Sequence, residues 1–433
     1  DSAIRALARR YHADYVCHAW QDDFAEARNF ALSRVPADTD WLLFLDADEY
    51  LPGNTARSLR TLLGQQPADV DGLCLKLYNI EHNGTVLSSF YALRLFRYRP
   101  ELAYTGRIHE QPALAGRALR LARLPEQKLY LYHTGYAAEE NHAKAQRNLR
   151  MLQQAVREGE AAGPLYGYLA ETYEGLGECE QALHYAKLAI ARGRQPGTFA
   201  SRAWRVALRL AAGTEKHELC ASAVQSFPEL PEFHAEYAVS LAQQADYPEA
   251  LRELQLALQG RGAQTGMETS EFDEEMVQTA DHLAEDWQAK LALAARLRLA
   301  ACVICRDEEA ELPVWLRQMR ELGAMLLVVD TGSRDKTREM AKAAGARVTD
   351  FPWQDDFAAA KNAALRQVPA GTDWILFLDA DEQFTQESLR RLRCVLAREQ
   401  AASERQAILC RIINIDADDE DKEIDRFVNV RIF

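Results

Sequence analysis

The apolar run Trp41-Leu42-Leu43-Phe44-Leu45 stops abruptly at Asp46-Ala47-Asp48-Glu49, and the chain repeats the arrangement as Trp374-Ile375-Leu376-Phe377-Leu378 before Asp379-Ala380-Asp381-Glu382. Unbroken hydrophobicity of this kind predicts a strand covered by helices on both faces. Its trailing carboxylates then lie beyond the C-terminal end, where α/β sheets bind ligands. Around the first run, Asp1 to Arg10 reads as a capped helix with cations at its end. Tyr15 to His18 reads as a short strand, and Trp20 to Phe24 leads into a helix through Leu32 that carries Arg28 and Asn29. Alternation predicts strands at Gly72 to Ile80 and Val86 to Arg97, joined by an Asn83-Gly84 turn. A further strand, Leu129 to Tyr132, ends at His133-Thr134-Gly135-Tyr136.

Beyond about residue 138 the hydrophobic period changes to that of helices. Tyr166, Leu169, Ala170, Tyr173, Gly177, Ala182 and Ala189 follow tetratricopeptide-like spacing, and Tyr237, Ala238, Leu241, Ala250 and Ala257 repeat it 68 positions on, twice the usual period. The repeat between them, Thr198 to Phe227, is weaker. The pattern predicts a helical array over 139–296, with a looser acidic segment from Gly260 to Glu275. At Leu299 the α/β pattern resumes, and Trp353 to Gln383 matches Trp20 to Tyr50 at 23 of 31 positions. The expected fold class is therefore α/β plus all-α, two incomplete Rossmann-like domains flanking the array: 1–138 without its N-terminal strands, and 297–433 without its C-terminal part. Arg431-Ile432-Phe433 pairs with Arg94-Leu95-Phe96.

Composition narrows the partners. The 433 residues carry a formal charge of −14, which opposes nucleic acid binding. Eight scattered cysteines suit a reducing, cytoplasmic compartment rather than a disulfide framework, and Cys302 and Cys305 read as core residues of a strand. Asn83-Gly84-Thr85 matches a glycosylation acceptor, but the turn accounts for it. No apolar stretch is long enough to span a bilayer; the longest candidate, Ala289 to Ile304, is broken by Lys290, Arg296 and Arg298. Two carboxylates separated by one small residue can hold Mg²⁺ or Mn²⁺ and, through it, substrate phosphates.

Taken in order, the strand ending in Asp330-Thr331-Gly332-Ser333-Arg334-Asp335-Lys336-Thr337, then Asp-Asp-Phe-Ala-x-Ala-Lys/Arg-Asn, then Phe-Leu-Asp-Ala-Asp-Glu, resemble the bacterial family 2 glycosyltransferases of GT-A fold. Ile108-His109-Glu110, His133-x-Gly135-Tyr136 and the helical repeats narrow the resemblance to the sublancin-type S-glycosyltransferase branch. The resemblance implies a nucleotide-base contact at Asp330, with Cys305 to Asp307 lining the same pocket. It places Lys361 and Arg28 facing the donor, Asp379 and Asp46 near its ribose, and Asp381 and Asp48 on the metal. His133 would complete the metal shell, although a structural histidine fits the same position. Glu110 would be the base of an inverting transfer, or else a carboxylate capping a loop.

The expected activity is metal-dependent transfer of a sugar from a UDP-sugar-like donor to a peptide, protein or glycan, with a protein partner possible on the helical repeats. Neither copy is expected to transfer efficiently, since the first lacks counterparts of the nucleotide-base strands and the second lacks counterparts of Glu110 and His133. The alternative is a repeat scaffold whose α/β domains are inactive, against which stands the presence of both Asp-x-Asp pairs. A sugar nucleotidyltransferase shares the topology but calls for a glycine-rich loop, and Ala301 to Leu312 has no glycine.

Overall fold

The computed structural model describes residues 2–53, 59–81, 83–115, 117, 119–134, 138–159, 162–194, 200–262, 268, 270–402, 407–415 and 422–433. Asp1, Gly135, Tyr136, Thr198 and residues 263–267 and 269 of the acidic segment lie outside them. The chain divides into two compact units, residues 1–233 with 262–272, and residues 234–261 with 273–433.

The first unit runs α1 (Ser2–Arg10), α2 (Phe24–Leu32), β1 (Trp41–Leu43), β2 (Glu49–Tyr50), α3 (Leu59–Gly64), β3 (Gly72–Ile80), β4 (Val86–Arg97), β5 (Leu102–Thr105), β6 (Gln111–Leu114), β7 (Leu121–Arg123) and β8 (Tyr130–His133). Helices α4 (Ala138–Arg157), α5 (Ala162–Gly175), α6 (Cys179–Ile190), α7 (Arg202–Leu210) and α8 (Gly213–Ser226) follow. Its main sheet has the order β1-β4-β3-β8-β2, with β7 also on β3. The hairpin predicted from Asn83-Gly84 is present: β3 and β4 pair antiparallel, and Gly84 takes a left-handed φ of 87°. Gly72 opens β3, and a Cβ there would meet a Leu93 methyl at 2.8 Å.

Two expectations fail here for one reason. Tyr15 to His18 is not a strand, and β1 is a half-buried edge strand rather than a doubly covered one. In the second copy the corresponding strands obtain their hydrogen bonds from neighbours that have no counterpart among the residues of the first.

Helix α9 (Pro231–Gln243) crosses the division between the units, and α10 (Tyr247–Gln259) and α11 (Glu274–Arg296) belong to the second. There follow β9 (Leu299–Cys305), α12 (Leu312–Glu321), β10 (Met325–Asp330), α13 (Thr337–Ala343), β11 (Arg347–Asp350), α14 (Phe357–Leu365), β12 (Trp374–Phe377), α15 (Gln386–Ala401), β13 (Ile408–Ile415) and β14 (Glu423–Ile432). The sheet order is β11-β10-β9-β12-β14-β13. Its first four strands are mutually parallel, so Cys305, Asp330 and the approach to Asp379 share one carboxyl edge. Cys302 and Cys305 are buried, as a core strand requires, and burial pushes both thiols up to about 12.

The repeat spacing in the sequence is also a repeat of geometry. Gly177 and Ala245, 68 positions apart, both turn the chain at φ near 80° and 58°. Each is followed by an N–H bond to the fifth residue back, Glu178 to Tyr173 at 2.9 Å and Asp246 to Leu241 at 3.0 Å. Among the described residues no helix is long and apolar enough to cross a membrane.

A buried carboxylate at the start of β3 ties the segment leading into β7 to the first sheet. Asp71, 2% exposed, accepts from Arg117 at 2.8 Å and from the Arg120 N–H at 2.9 Å. The Arg117 hydrogen bond, against an opposing effect of burial, lowers its pKa to about 2. A depressed carboxylate stabilises the fold above its unfolded pKa near 4, and that stability disappears as pH falls through about 2. Asp71→Asn should therefore cost on the order of 1–2 kcal/mol at pH 7 and much less at pH 2, since the arginines are themselves half-exposed. Urea midpoints of parent and variant at the two pH values check this; an equal gap at both would contradict it.

Candidate functional site

The duplication fixes identical local frames. Trp20 and Trp353 donate to Asp22 and Asp355 at 2.9 and 2.7 Å, and both aspartates have φ 55°. Asp23 and Asp356 then cap α2 and α14 by accepting N–H bonds at 2.9 Å, satisfying donors that a helix start leaves open. Leu43 pairs with Leu95 in the same register as Leu376 with Ile432. Each Asp-x-Asp loop therefore starts from an equivalent place.

An arginine missed by motif reading holds each loop. Arg94 binds Glu49 with two hydrogen bonds, 2.8 and 2.6 Å, and approaches Asp46 at 3.5 Å. Arg431 does the same to Glu382, at 2.7 and 2.5 Å, and to Asp379 at 3.4 Å. The bidentate fork sets direction as well as charge. Its signal was the repeated Arg-Leu/Ile-Phe, which showed duplication without revealing a partner far away in sequence.

In the first unit five predicted residues meet in two groups. Arg28 lies 4.8 Å over the Phe44 ring and forms ion pairs with Glu110 and, at 3.2 Å, with Asp46. Burial disfavours its charge, but Glu110 and Asp46 outweigh this and raise its pKa. Asn29, next in sequence, clasps the Tyr104 backbone at both N–H and C=O, 2.8 and 2.9 Å, and so joins α2 to β5. Separately, His133 Nε2 lies 3.2 Å from Asp48, and its Nδ1 lies 2.8 Å from the Asn79 side-chain oxygen. Asn79 uses its amide nitrogen on Ser88 at 2.7 Å, which leaves its oxygen for an Nδ1–H. His133 Nε2 and the Asp48 carboxylate face each other across 3.2 Å, two groups of the kind that ligate a divalent cation. No cluster of three metal-binding side chains occurs among the described residues. A divalent ion here would draw its remaining ligands from a diphosphate and water, as Mg²⁺ commonly does. On that basis Asp48 and His133 fit the expected metal.

In the second unit Asp330, 2% exposed, accepts from Gly332 and Ser333 N–H at 3.2 to 3.3 Å, with Arg338 3.8 Å away. Asp307 has φ 58°, donates its N–H to Ser333 at 2.9 Å and accepts from Arg334 at 2.6 Å. These bonds lock together the two loops at the carboxyl ends of β9 and β10. Lys361 Nζ lies 5.3 Å over the Phe377 ring, the counterpart of Arg28 over Phe44. Burial and then Glu382 push the Asp379 carboxyl up, against Arg431 and Lys361. Burial followed by the charge of Asp381 also pushes Glu308 up, which adds a carboxylate the motif reading had not singled out.

Overlapping parts of a GT-A-type α/β scaffold, each with paired carboxylates at a strand end, are thus present in both units, with helical repeats between them in sequence. The profile of "Glycosyl transferase family 2" matches residues 2–119 and 301–421, more than half the chain. The chain belongs to glycosyl transferase family 2. A TPR repeat-containing protein of Synechococcus elongatus is 43% identical over 108 residues, 25% of this chain and 26% of that protein. The SPbeta prophage-derived glycosyltransferase SunS of Bacillus subtilis is 27% identical over 175 residues, 40% of each. These matches span about a quarter to two-fifths of the relatives' lengths. Among solved structures, glucosyl-3-phosphoglycerate synthase of Mycobacterium tuberculosis with UDP aligns at a TM-score of 0.20 and 23% identity, over 23% of this chain and 40% of that one.

Proposed function

We propose that the protein transfers a sugar from a uridine diphosphate sugar to a peptide, protein or glycan, with inversion at the anomeric carbon and with Mn²⁺ or Mg²⁺ bound. The observation that carries this reading is the first-unit cluster, where Arg28, Asp46 and Glu110 meet beside an Asp-x-Asp loop held by Arg94. In the reading, Asp330 and Asp307 hold the base in the second unit, and Asp46 and Asp379 lie near the ribose. Asp48 with His133, and Asp381 in the second copy, would hold the cation, which when bound offsets negative charge on the diphosphate. The acceptor's nucleophile forms a bond to the anomeric carbon as the bond to the diphosphate oxygen breaks. Its proton passes to the Glu110 carboxylate, and UDP leaves with the electron pair. Arg28 directs that carboxylate and faces the developing charge. The helical repeats would hold a protein partner or acceptor. A cytoplasmic setting is part of the reading and is supported by eight free cysteines.

Calorimetric titration of the chain with UDP and Mn²⁺, repeated with chelator, tests the reading. Saturable binding that the chelator weakens at least tenfold is expected. No binding under either condition would favour the repeat scaffold with inactive α/β domains.

A further inference from the structure

The loop that carries Glu110 is embedded in the helical repeats. Ile108 is 3% exposed inside the core made by Met151, Leu152, Leu165 and Leu169, and Phe24 at the start of α2 packs against the same core. Arg107 reaches Glu158 of α4's trailing turn at 3.0 Å, and its carbonyl accepts the Phe24 N–H at 2.9 Å. Between these anchors His109 adopts φ 53°, a left-handed conformation that a non-glycine residue keeps only when its surroundings impose it. Its imidazole lies flat on the Tyr168 ring of α5, with centroids 3.6 Å apart and planes within 5°. Burial, with Arg202 adding to it, pushes this imidazole's pKa down, so the stack is made by a neutral ring. The second copy supplies a comparison within the same chain. Phe357, the counterpart of Phe24 in the same Trp-x-x-x-Phe frame, is 69% exposed in its unit.

We propose that Tyr168 and His109 are positioning residues for the transfer, their stack holding the 105–111 loop so that Glu110 stays against Arg28. The proposal rests on the role given to Glu110 above, and it makes the first helical repeat part of the reaction centre rather than only a partner surface. A displacement of about 1 Å at a reacting group can cost roughly 10² in rate, so a small loosening of this loop is sufficient.

Hydrogen exchange of the 107–111 amides in the whole chain, at matched melting temperature, reads the loop without needing turnover. Tyr168→Leu should speed exchange at least tenfold, and Tyr168→Phe, which keeps the ring for the stack but loses the hydroxyl that hydrogen-bonds Gln111, should speed it severalfold less. His109→Gly tolerates the left-handed backbone but removes the ring, and should loosen the loop like Tyr168→Leu even if that variant folds poorly. In a form of the protein whose first copy also carries counterparts of β9 and β10, Tyr168→Leu should lower kcat about tenfold with donor KM within twofold, and Tyr168→Phe should lower it severalfold less. Parental exchange in both Tyr168→Leu and His109→Gly would overturn the proposal, as would equal loss of kcat in Tyr168→Phe and Tyr168→Leu. Absence of turnover in the parent would sink the proposed function instead, and the exchange measurement would still decide the positioning role.

Discussion

Glu110→Gln is expected to lower turnover by about 10²-fold or more while donor affinity stays within about twofold. The amide keeps the volume of the carboxylate and an oxygen that can accept from Arg28, but it cannot take up the acceptor's proton. Glu110 is well placed for such a test because its side chain is 11% exposed and its direction is fixed by the ion pair with Arg28. The measurement is sugar transfer from a uridine diphosphate sugar by a protein whose first copy carries counterparts of β9 and β10. Arg28→Ala serves as the comparison. It removes the partner that aims Glu110 and also the cation beside Asp46, so it should raise donor KM as well as lower kcat. Unchanged turnover in Glu110→Gln would leave the carboxylate only as the partner of Arg28 in a structural network. A fall in turnover that merely tracked a fall in melting temperature would lead to the same conclusion.

How much of this was legible in the sequence follows from the range of the interactions. The bounds of β3 and β4 and the end of the last helix before β9, near Arg296, were read from period and turn residues, because alternation and capping are local. The Asp-x-Asp loops were legible twice over, since the duplication marked Asp46, Asp48, Asp379 and Asp381 with one motif. Tyr15 to His18 has local strand character, but a strand is completed by a neighbour, and β11 has β10 where that segment has none among the described residues. Arg94 with Glu49, Asn79 with His133 and His109 with Tyr168 each join residues about 45 to 59 positions apart. No spacing rule connects such pairs; only the fold brings the forks and rings together. The identical residues Phe24 and Phe357 show the same limit, since one lies under helical repeats and the other faces solvent.

Asp381→Ala should abolish the chelator-sensitive part of UDP binding, weakening affinity at least tenfold, whereas Asp48→Ala should leave it nearly unchanged. The asymmetry comes from where the base can be held. Asp330 and Asp307 sit on the loops after β10 and β9, tied together by the Ser333 and Arg334 hydrogen bonds, and the first copy has no counterpart of either loop among its residues. Asp48 can meet a cation through His133, but among the described residues no pair of loops like those carrying Asp307 and Asp330 accompanies it. At the second site Asp381 lies close enough to Glu308 to raise its pKa, and a cation there relieves repulsion between carboxylates as well as binding phosphate. Loss of one carboxylate ligand out of a partly aqueous shell should cost a few kcal/mol at most, which calorimetry resolves easily. Asp330→Asn gives the complementary result: it keeps an oxygen for the Gly332 and Ser333 N–H groups but removes the charge, and so should weaken UDP with or without Mn²⁺. Equal affinity in Asp381→Ala and the parent would rule out this carboxylate as the metal ligand, and a loss confined to Asp48→Ala would move the donor site to the first copy.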